Sequence, residues 1–192
     1  MSRRSFAAAL RGAFGVDTQR LHQQRFAWLS SRISNASFLD IGGLDGVLVS
    51  EAAARGSRVV AWEWEEWAVE ETKSRLLESG PGVFECVDFI DQISDGPNPS
   101  LAIIETLDRL PDPSADLAQV VGQLPSDGVL VIACSLPVRM DRVPWLTGEV
   151  LRAIITTPYA LTSDSTRLIT SNDGAGFWLS QWRRAEKESD EF

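Results

Sequence analysis

The stretch FLDIGGLDG, residues 38–46, decides the fold, because a short apolar strand in it turns over glycines directly into a helix. The strand is predicted over residues 37–41, and the helix runs from about Val47 to Arg55, where Gly56 ends it. Glycines at such a turn let the backbone approach a ligand closely, and the helix that follows offers unpaired N–H groups. This stretch therefore predicts a binding loop at the end of the first strand.

The spacing of the glycines restricts the kind of ligand that the loop can bind. Asp40, Gly42 and Gly46 follow the pattern D-x-G-x-x-x-G, with Gly43 as an additional glycine and Leu at position 44. The dinucleotide fingerprint G-x-G-x-x-G is not matched, so pyrophosphate binding is disfavoured. We expect the loop to receive a different polar group.

Strands and helices alternate outward from this loop. Further strands are predicted at residues 58–62, 83–87, 101–104 and 128–134, and helices at 65–78 and about 114–124. Such alternation predicts an α/β fold with a doubly wound, mostly parallel sheet. Two later strands are predicted at 150–156 and 176–182, and no full helix fits between Pro137 and Glu149.

The two ends differ from this central part. Residues 1–36 are predicted to form a helical cap of the same domain, with helices at 5–14 and 18–33, and residues 37–184 form the main domain. The charged tail, residues 185–192, is expected to be disordered. Cys86 and Cys134 lie in apolar runs, which favours buried free thiols. A single histidine leaves no histidine cluster for a metal site.

Charge and hydropathy restrict the partners. The net charge of −9 disfavours nucleic acid as a partner, although residues 1–32 hold six arginines and one acid. No apolar run reaches the roughly 20 residues that span a bilayer, so we expect no membrane insertion and a cytoplasmic location. A neutral or cationic small molecule or peptide is the expected substrate.

Five acidic or aromatic positions accompany the glycine loop. Glu63 ends the second strand, where a carboxylate can accept hydrogen bonds from both hydroxyls of a ribose, and Trp64 beside it could cover an adenine. Asp88 and Phe89 follow the third predicted strand, and Glu105 ends the fourth. The order and spacing of these residues predict a nucleoside-containing cofactor.

From Phe38 to Cys134 the sequence resembles the class I S-adenosylmethionine-dependent methyltransferases. The loop is similar to their motif I, and LPSDGVLVIA, residues 124–133, is similar to their fifth strand. The resemblance implies a Rossmann-like, seven-stranded sheet with an antiparallel last strand, here without a full helix between strands five and six. It also implies S-adenosyl-L-methionine as the cofactor, no metal, and Asp88 on the adenine amino group.

A narrower resemblance concerns the methyl acceptor. LDRLPDP, residues 107–113, PYALTSD, residues 158–164, and GFWLSQWRR, residues 176–184, are similar to the DREV-type protein-histidine methyltransferases and to the methyltransferase domain of mercaptohistidine (ovothiol) biosynthesis. Both groups methylate an imidazole nitrogen. The resemblance implies that Asp108 orients the imidazole or receives its proton, with Tyr159 beside it.

Three other functions remain open at this point. The chain could be a small-molecule O- or N-methyltransferase of natural-product metabolism, because a similar LPDP loop occurs in many of these enzymes. It could be a catalytically silent module that binds a partner through its arginine-rich start. A nicotinamide-dependent oxidoreductase is disfavoured by the glycine spacing. A homodimer is expected to cover the sheet face that lacks a helix.

Overall fold

The computed structural model describes residues 16–33, 37–93, 98–105, 107–136, 161–170 and 176–184. The helices are α1 (Val16–Ser30), α2 (Val47–Ala54), α3 (Glu66–Ser79), α4 (Pro81–Phe84) and α5 (Pro113–Gln123), with a 3-10 turn at Leu107–Arg109. The strands are β1 (Phe38–Ile41), β2 (Val59–Trp62), β3 (Val87–Ile90), β4 (Leu101–Ile104), β5 (Val129–Leu136), β6 (Leu161–Thr170) and β7 (Gly176–Arg184).

The seven strands form one sheet in the order β3-β2-β1-β4-β5-β7-β6. The first five strands in this order are parallel, and β7 lies antiparallel between β5 and β6. This confirms the predicted doubly wound sheet with an antiparallel last strand. The segment between strands five and six, for which no full helix was expected, lies outside the described residues.

Helices cover both faces of the sheet. On one face α1 and α2 pack through Leu21, Leu29 and Leu48 against residues of the central strands such as Ile103. On the other face α5 packs through Leu117 and Val120. Every residue of β1, β2 and β4 is buried, as expected for parallel strands covered on two sides.

The strand predicted at 83–87 is wrong. Pro81 stands at the first position of the short helix α4, and the strand begins only at Val87, opposite Val59 of β2. Proline is well suited to a first helical position, and the apolar residues after it pack as a helical turn instead of pairing. The third strand therefore ends at Ile90, three residues later than the sequence pattern indicates.

Other predictions have mixed outcomes. Helix α1 confirms the helix predicted at 18–33, whereas the helix at 5–14, the strand at 150–156 and the tail at 185–192 lie outside the described residues. Strand β6 was not predicted, because its residues LTSDSTRLIT are mostly polar. Both cysteines are free thiols, but only Cys134 is buried. Within the described ranges, no helix is long and apolar enough to cross a membrane.

Candidate functional site

The sheet register brings the ends of three strands together. Ile41 of β1 lies opposite Trp62 of β2 and Ile104 of β4, so the chain leaves all three strands at the same edge. The residues that follow are Gly42, Glu63 and Glu105. Because β1 pairs with both β2 and β4, the glycine loop is flanked by an acid on each side. The sequence predicted that the two acids stand at strand ends, and the pairing places them around the loop.

The glycine loop is tightly held. Gly42, Leu44 and Gly46 all have left-handed backbone, with φ angles of 68°, 53° and 65°. Leu44 is an uncommon residue in this conformation, and its N–H donates to Glu63 Oε2 over 3.1 Å. A Cβ added at Gly46 would lie 2.6 Å from Thr72 Cγ2 of α3. The loop is thus pressed between the edge of the sheet and α3.

Gly43 lies directly on two buried acids. A Cβ at this position would stand 2.2 Å from Asp40 Oδ2 and 3.3 Å from Glu105 Oε1. Asp40 is 2% exposed and Glu105 is 3% exposed, which is rare for carboxyl groups. The loop is therefore packed so closely onto the two carboxyl groups that no residue with a side chain fits at position 43.

The carboxyl groups of Asp40 and Glu105 interact directly, and the pKa values of both are raised. Burial, and then the negative charges of Glu105 and Glu63, raise the pKa of Asp40 well above its usual value. Burial also raises the pKa of Glu105 to about 7, although the positive charge of Arg25 opposes the shift. The hydrogen bond between the carboxyls raises the pKa of Asp40 and lowers that of Glu105, so Asp40 is the protonated member.

Arg25 of α1 is the third charged residue in contact with this cluster. It was not predicted as a site residue from the sequence. Its Nη2 lies 2.8 Å from Glu105 Oε2, and its Nη1 donates to the Glu105 carbonyl oxygen over 3.2 Å. The guanidinium also lies 5.2 Å from the centre of the Phe177 ring. The sequence pattern could have indicated this residue, because Arg25 shares the buried face of α1 with Leu21, Trp28 and Leu29. A cation on an apolar face needs a buried partner.

Glu63 and Trp64 lie beside the loop, as predicted. The half-buried Glu63 carboxylate accepts from Leu44 N, from Trp64 N over 3.0 Å and from Glu65 N over 3.3 Å. Burial raises the pKa of Glu63, while these backbone hydrogen bonds oppose the shift. Trp64 packs on Trp62 with ring centres 5.3 Å apart. A carboxylate and an indole ring are therefore adjacent at the end of β2.

The expectation that Asp88 follows the third strand is wrong, because Asp88 is the second residue of β3 and lies opposite Val60. Its side chain is 59% exposed and lies 3.7 Å from Arg58 Nη2. Phe89 is half-buried in the same strand, with Lys73 Nζ 5.5 Å from its ring centre. The acid that follows β3 is Asp91, whose carbonyl oxygen accepts from Trp62 Nε1 over 3.2 Å.

The structure describes only part of the segments that are predicted to bind the methyl acceptor. Asp108 is the middle residue of the 3-10 turn that follows Glu105. Its neighbour Arg109 lies 3.7 Å from Glu65 Oε1, which links the turn to the end of β2. Tyr159 lies outside the described residues. The predicted pair of Asp108 and Tyr159 thus stays a prediction.

The buried acids have a consequence for stability. Because the pKa of Glu105 rises from 4.5 to about 7 among Arg25, Asp40, Asp45 and Glu63, the folded protein keeps a proton that the unfolded chain releases. Without ligand, the free energy of unfolding should fall as the pH rises through this window, by up to about 1.4 kcal/mol per pH unit for each proton. Urea unfolding between pH 5 and pH 8 measures this slope.

The matched variants are Glu105→Gln, which removes one titrating group from the cluster, and Glu66→Gln, which removes one exposed carboxylate of α3. We expect a flatter pH dependence only in Glu105→Gln. Equal slopes in the two variants would show that overall charge, not the buried pair, causes the effect.

Comparison with known proteins supports the fold. No protein-family model and no curated protein matches the sequence. The solved N-methyltransferase NodS from Bradyrhizobium japonicum WM9 is similar with a TM-score of 0.69 and 19% identity, over 89% of this chain and 100% of NodS. Its complex with S-adenosyl-l-homocysteine gives 0.67 and 20%, over 90% and 94%. The glycopeptide N-methyltransferase MtfA, complexed with sinefungin, gives 0.64 and 13%, over 86% and 93%. The chain therefore has the Rossmann-like fold of these methyltransferases.

Proposed function

We propose that the protein is an S-adenosylmethionine-dependent methyltransferase that methylates a nitrogen atom of a small molecule or peptide. The observation that carries this proposal is the glycine loop, which lies on buried Asp40 and Glu105 and is held from the side by Glu63. Structures of the same fold bind S-adenosyl-l-homocysteine and sinefungin. Both compounds combine an adenosine with an amino-acid end.

The residues present fit such a cofactor. The Glu63 carboxylate would accept hydrogen bonds from the ribose hydroxyls, and Trp64 would cover the adenine. Gly42, Gly43 and Gly46 would lie along the amino-acid part of the cofactor, where the absence of side chains lets the backbone approach it closely. The Asp40 and Glu105 carboxyls hydrogen-bond each other beneath the loop, so the loop backbone itself would have to supply the contacts to this part of the cofactor.

The chemistry requires little more than alignment. The cofactor supplies a methyl group on a sulfonium that is already a good leaving group. The chain must align the acceptor nitrogen with that methyl, exclude water and remove a proton from the acceptor. The segment proposed to bind the methyl acceptor starts at Glu105, at the edge of the sheet, and continues into the 3-10 turn that holds Asp108 and Arg109. It therefore lies next to the glycine loop proposed to bind the cofactor.

For the acceptor we propose an imidazole nitrogen, with Asp108 receiving the proton of the second ring nitrogen as the first nitrogen attacks, and with Tyr159 beside it. The resemblance of the Asp108 and Tyr159 segments to histidine methyltransferases supports this proposal. An amine is the alternative acceptor, since NodS and MtfA are N-methyltransferases. In both kinds of acceptor the atom that attacks the methyl group is a nitrogen.

Calorimetry tests the cofactor. We expect S-adenosylmethionine and S-adenosylhomocysteine to bind and NADH not to bind, because the loop lacks the glycine spacing for a pyrophosphate. Binding of neither sulfur nucleoside would overturn the proposal. Binding of a sulfur nucleoside without any methyl transfer would support a silent binding module instead.

Labelled cofactor tests the acceptor. The protein is incubated with methyl-labelled S-adenosylmethionine and with histidine-containing peptides, free histidine or primary amines. We expect labelling of an imidazole that Asp108→Ala lowers at least 100-fold while cofactor affinity stays unchanged. Asp127→Ala, an exposed acid in the turn before β5, is the control. Labelling on oxygen alone, or labelling indifferent to Asp108, would contradict the imidazole proposal.

A further inference from the structure

We propose that the protein has a second ligand site, for a phosphate monoester of a small organic molecule, in an open cavity lined by Arg32 and Arg183. The cavity has a volume of about 420 Å³. Leu101 and Val129 also line it and are the first residues of β4 and β5, whereas the glycine loop follows the last residue of β1. Because these strands are parallel, the cavity and the glycine loop lie at opposite edges of the sheet. The site is therefore separate from the one proposed for the cofactor.

Three arginines lie at or near this cavity. Arg183 of β7 lies opposite Val129 of β5, and Arg167 of β6 lies opposite Leu179 of β7. Side chains alternate between the two faces of a strand and paired residues share a face, so Arg167 and Arg183 lie on the same face as the buried Leu179. Helix α1 packs on this face, and Arg32 lies just after its C-terminal end. The fold thus gathers three cations where α1 ends.

Arg32 is held in place by the protein itself. Its Cζ lies 3.3 Å from the centre of the Trp28 ring, and its Nη1 donates to the Trp28 carbonyl oxygen over 2.8 Å and to Ser31 Oγ over 3.0 Å. Its Nε is buried and has no hydrogen-bond partner among the described residues. Burial, and then the positive charge of Arg167, lower the pKa of Arg32. A half-buried cation that faces a second cation is stabilised by a bound anion.

The charge of the cavity favours a dianion. Asp127 is the only acid among the described residues that line it, and three arginines oppose this single negative charge. Two positive charges are left over, as many as a phosphate monoester neutralises above its second pKa of about 6. The guanidinium group is a planar fork of donors that fits phosphate oxygens. Leu101, which is buried, and the half-buried Val129 give the organic part of the ester an apolar surface.

The first test compares two ligands that carry the same ring and different charges. Calorimetry at pH 8 and constant ionic strength measures the affinities of phenyl phosphate, a dianion, and benzoate, a monoanion. We expect phenyl phosphate to bind at least about 10-fold more tightly, because only the dianion neutralises both excess charges. Absence of saturable phenyl phosphate binding, or equal affinity for the two ligands, would overturn the proposal.

The second test changes the charges of the cavity. Arg32→Gln and Arg183→Gln should each weaken phenyl phosphate about 5- to 20-fold, the range for losing a charge-assisted contact. Asp127→Asn should strengthen it about threefold or more, because the opposing charge is removed. The control is Arg58→Gln, which removes an exposed arginine that lies 3.7 Å from Asp88 at the other side of the sheet. It should change the affinity less than about twofold.

Two further measurements keep the outcomes distinct. Urea unfolding shows whether each variant is folded, and the exposed Arg183 tests the site even if Arg32→Gln loses stability with its contact to Trp28. S-adenosylhomocysteine should bind these variants as it binds the wild type, and it should not compete with phenyl phosphate. Competition between the two ligands, or a loss in Arg58→Gln equal to that in Arg32→Gln, would contradict the inference. Failure of the wild-type protein to bind S-adenosylhomocysteine would contradict the proposed function alone.

Discussion

Replacing Gly46 by alanine is expected to lower the free energy of unfolding by about 2–4 kcal/mol, because the new Cβ must fit a left-handed backbone and a filled space at once. The backbone φ is +65°, and the Cβ would lie 2.6 Å from Thr72 Cγ2 and 2.8 Å from Thr72 Cα. Since a backbone atom is among the contacts, α3 itself would have to move. Thermal unfolding should show a midpoint lower by roughly 5–12 °C.

Gly56 provides the matched control. Its φ is +86°, but a Cβ there meets nothing within 4 Å, so Gly56→Ala tests backbone strain without a collision. We expect that variant to lose only about 1–2 kcal/mol. Adding Thr72→Ala to Gly46→Ala should restore part of the stability, because it removes two of the three close atoms. A Gly46→Ala variant no less stable than Gly56→Ala would show that the loop is not pressed against α3.

Glu63→Ala is expected to weaken cofactor binding about 100-fold, as two charge-assisted hydrogen bonds of about 1.5 kcal/mol each would be lost. The same change removes the acceptor for Leu44 N, which helps to hold the left-handed residue of the loop. The measurement is calorimetry with S-adenosylhomocysteine. Glu66→Ala, an exposed acid three positions further along the chain, is the control and should bind as the wild type does.

A second ligand distinguishes the two expected effects of Glu63→Ala, the loss of hydrogen bonds to the ribose and the loss of the acceptor for Leu44 N. An S-adenosylhomocysteine analogue without the ribose 2′-hydroxyl should bind the wild-type protein less tightly than the parent compound. The Glu63→Ala variant should not distinguish the two ligands, because the carboxylate proposed to accept from the hydroxyl would be absent. If the variant still prefers the hydroxylated ligand by the wild-type ratio, Glu63 acts on the loop alone.

Prediction from sequence worked where one local pattern decides the structure. The runs that became β1, β2, β4 and β5 are almost wholly apolar, as parallel strands covered on two faces must be. It failed at the third strand, where the residues GVFECV, 82–87, are compatible with either a helical turn or a strand. Pairing with β2 decides where the strand lies, because it begins at Val87. Asp88 is therefore inside the strand, and the prediction that it follows the strand is wrong.

The order of residues along the chain establishes the glycine loop and the acids at the strand ends, because a strand end, a turn and a helix start are local features. Packing alone establishes that Asp40 and Glu105 meet, since β4 pairs with β1 although two strands, β2 and β3, lie between them in sequence. Packing also brings Arg25 to Glu105, 80 residues away along the chain. The raised pKa values come from burial in this cluster, and burial is a property of the assembled sheet and helices that no short stretch of sequence contains.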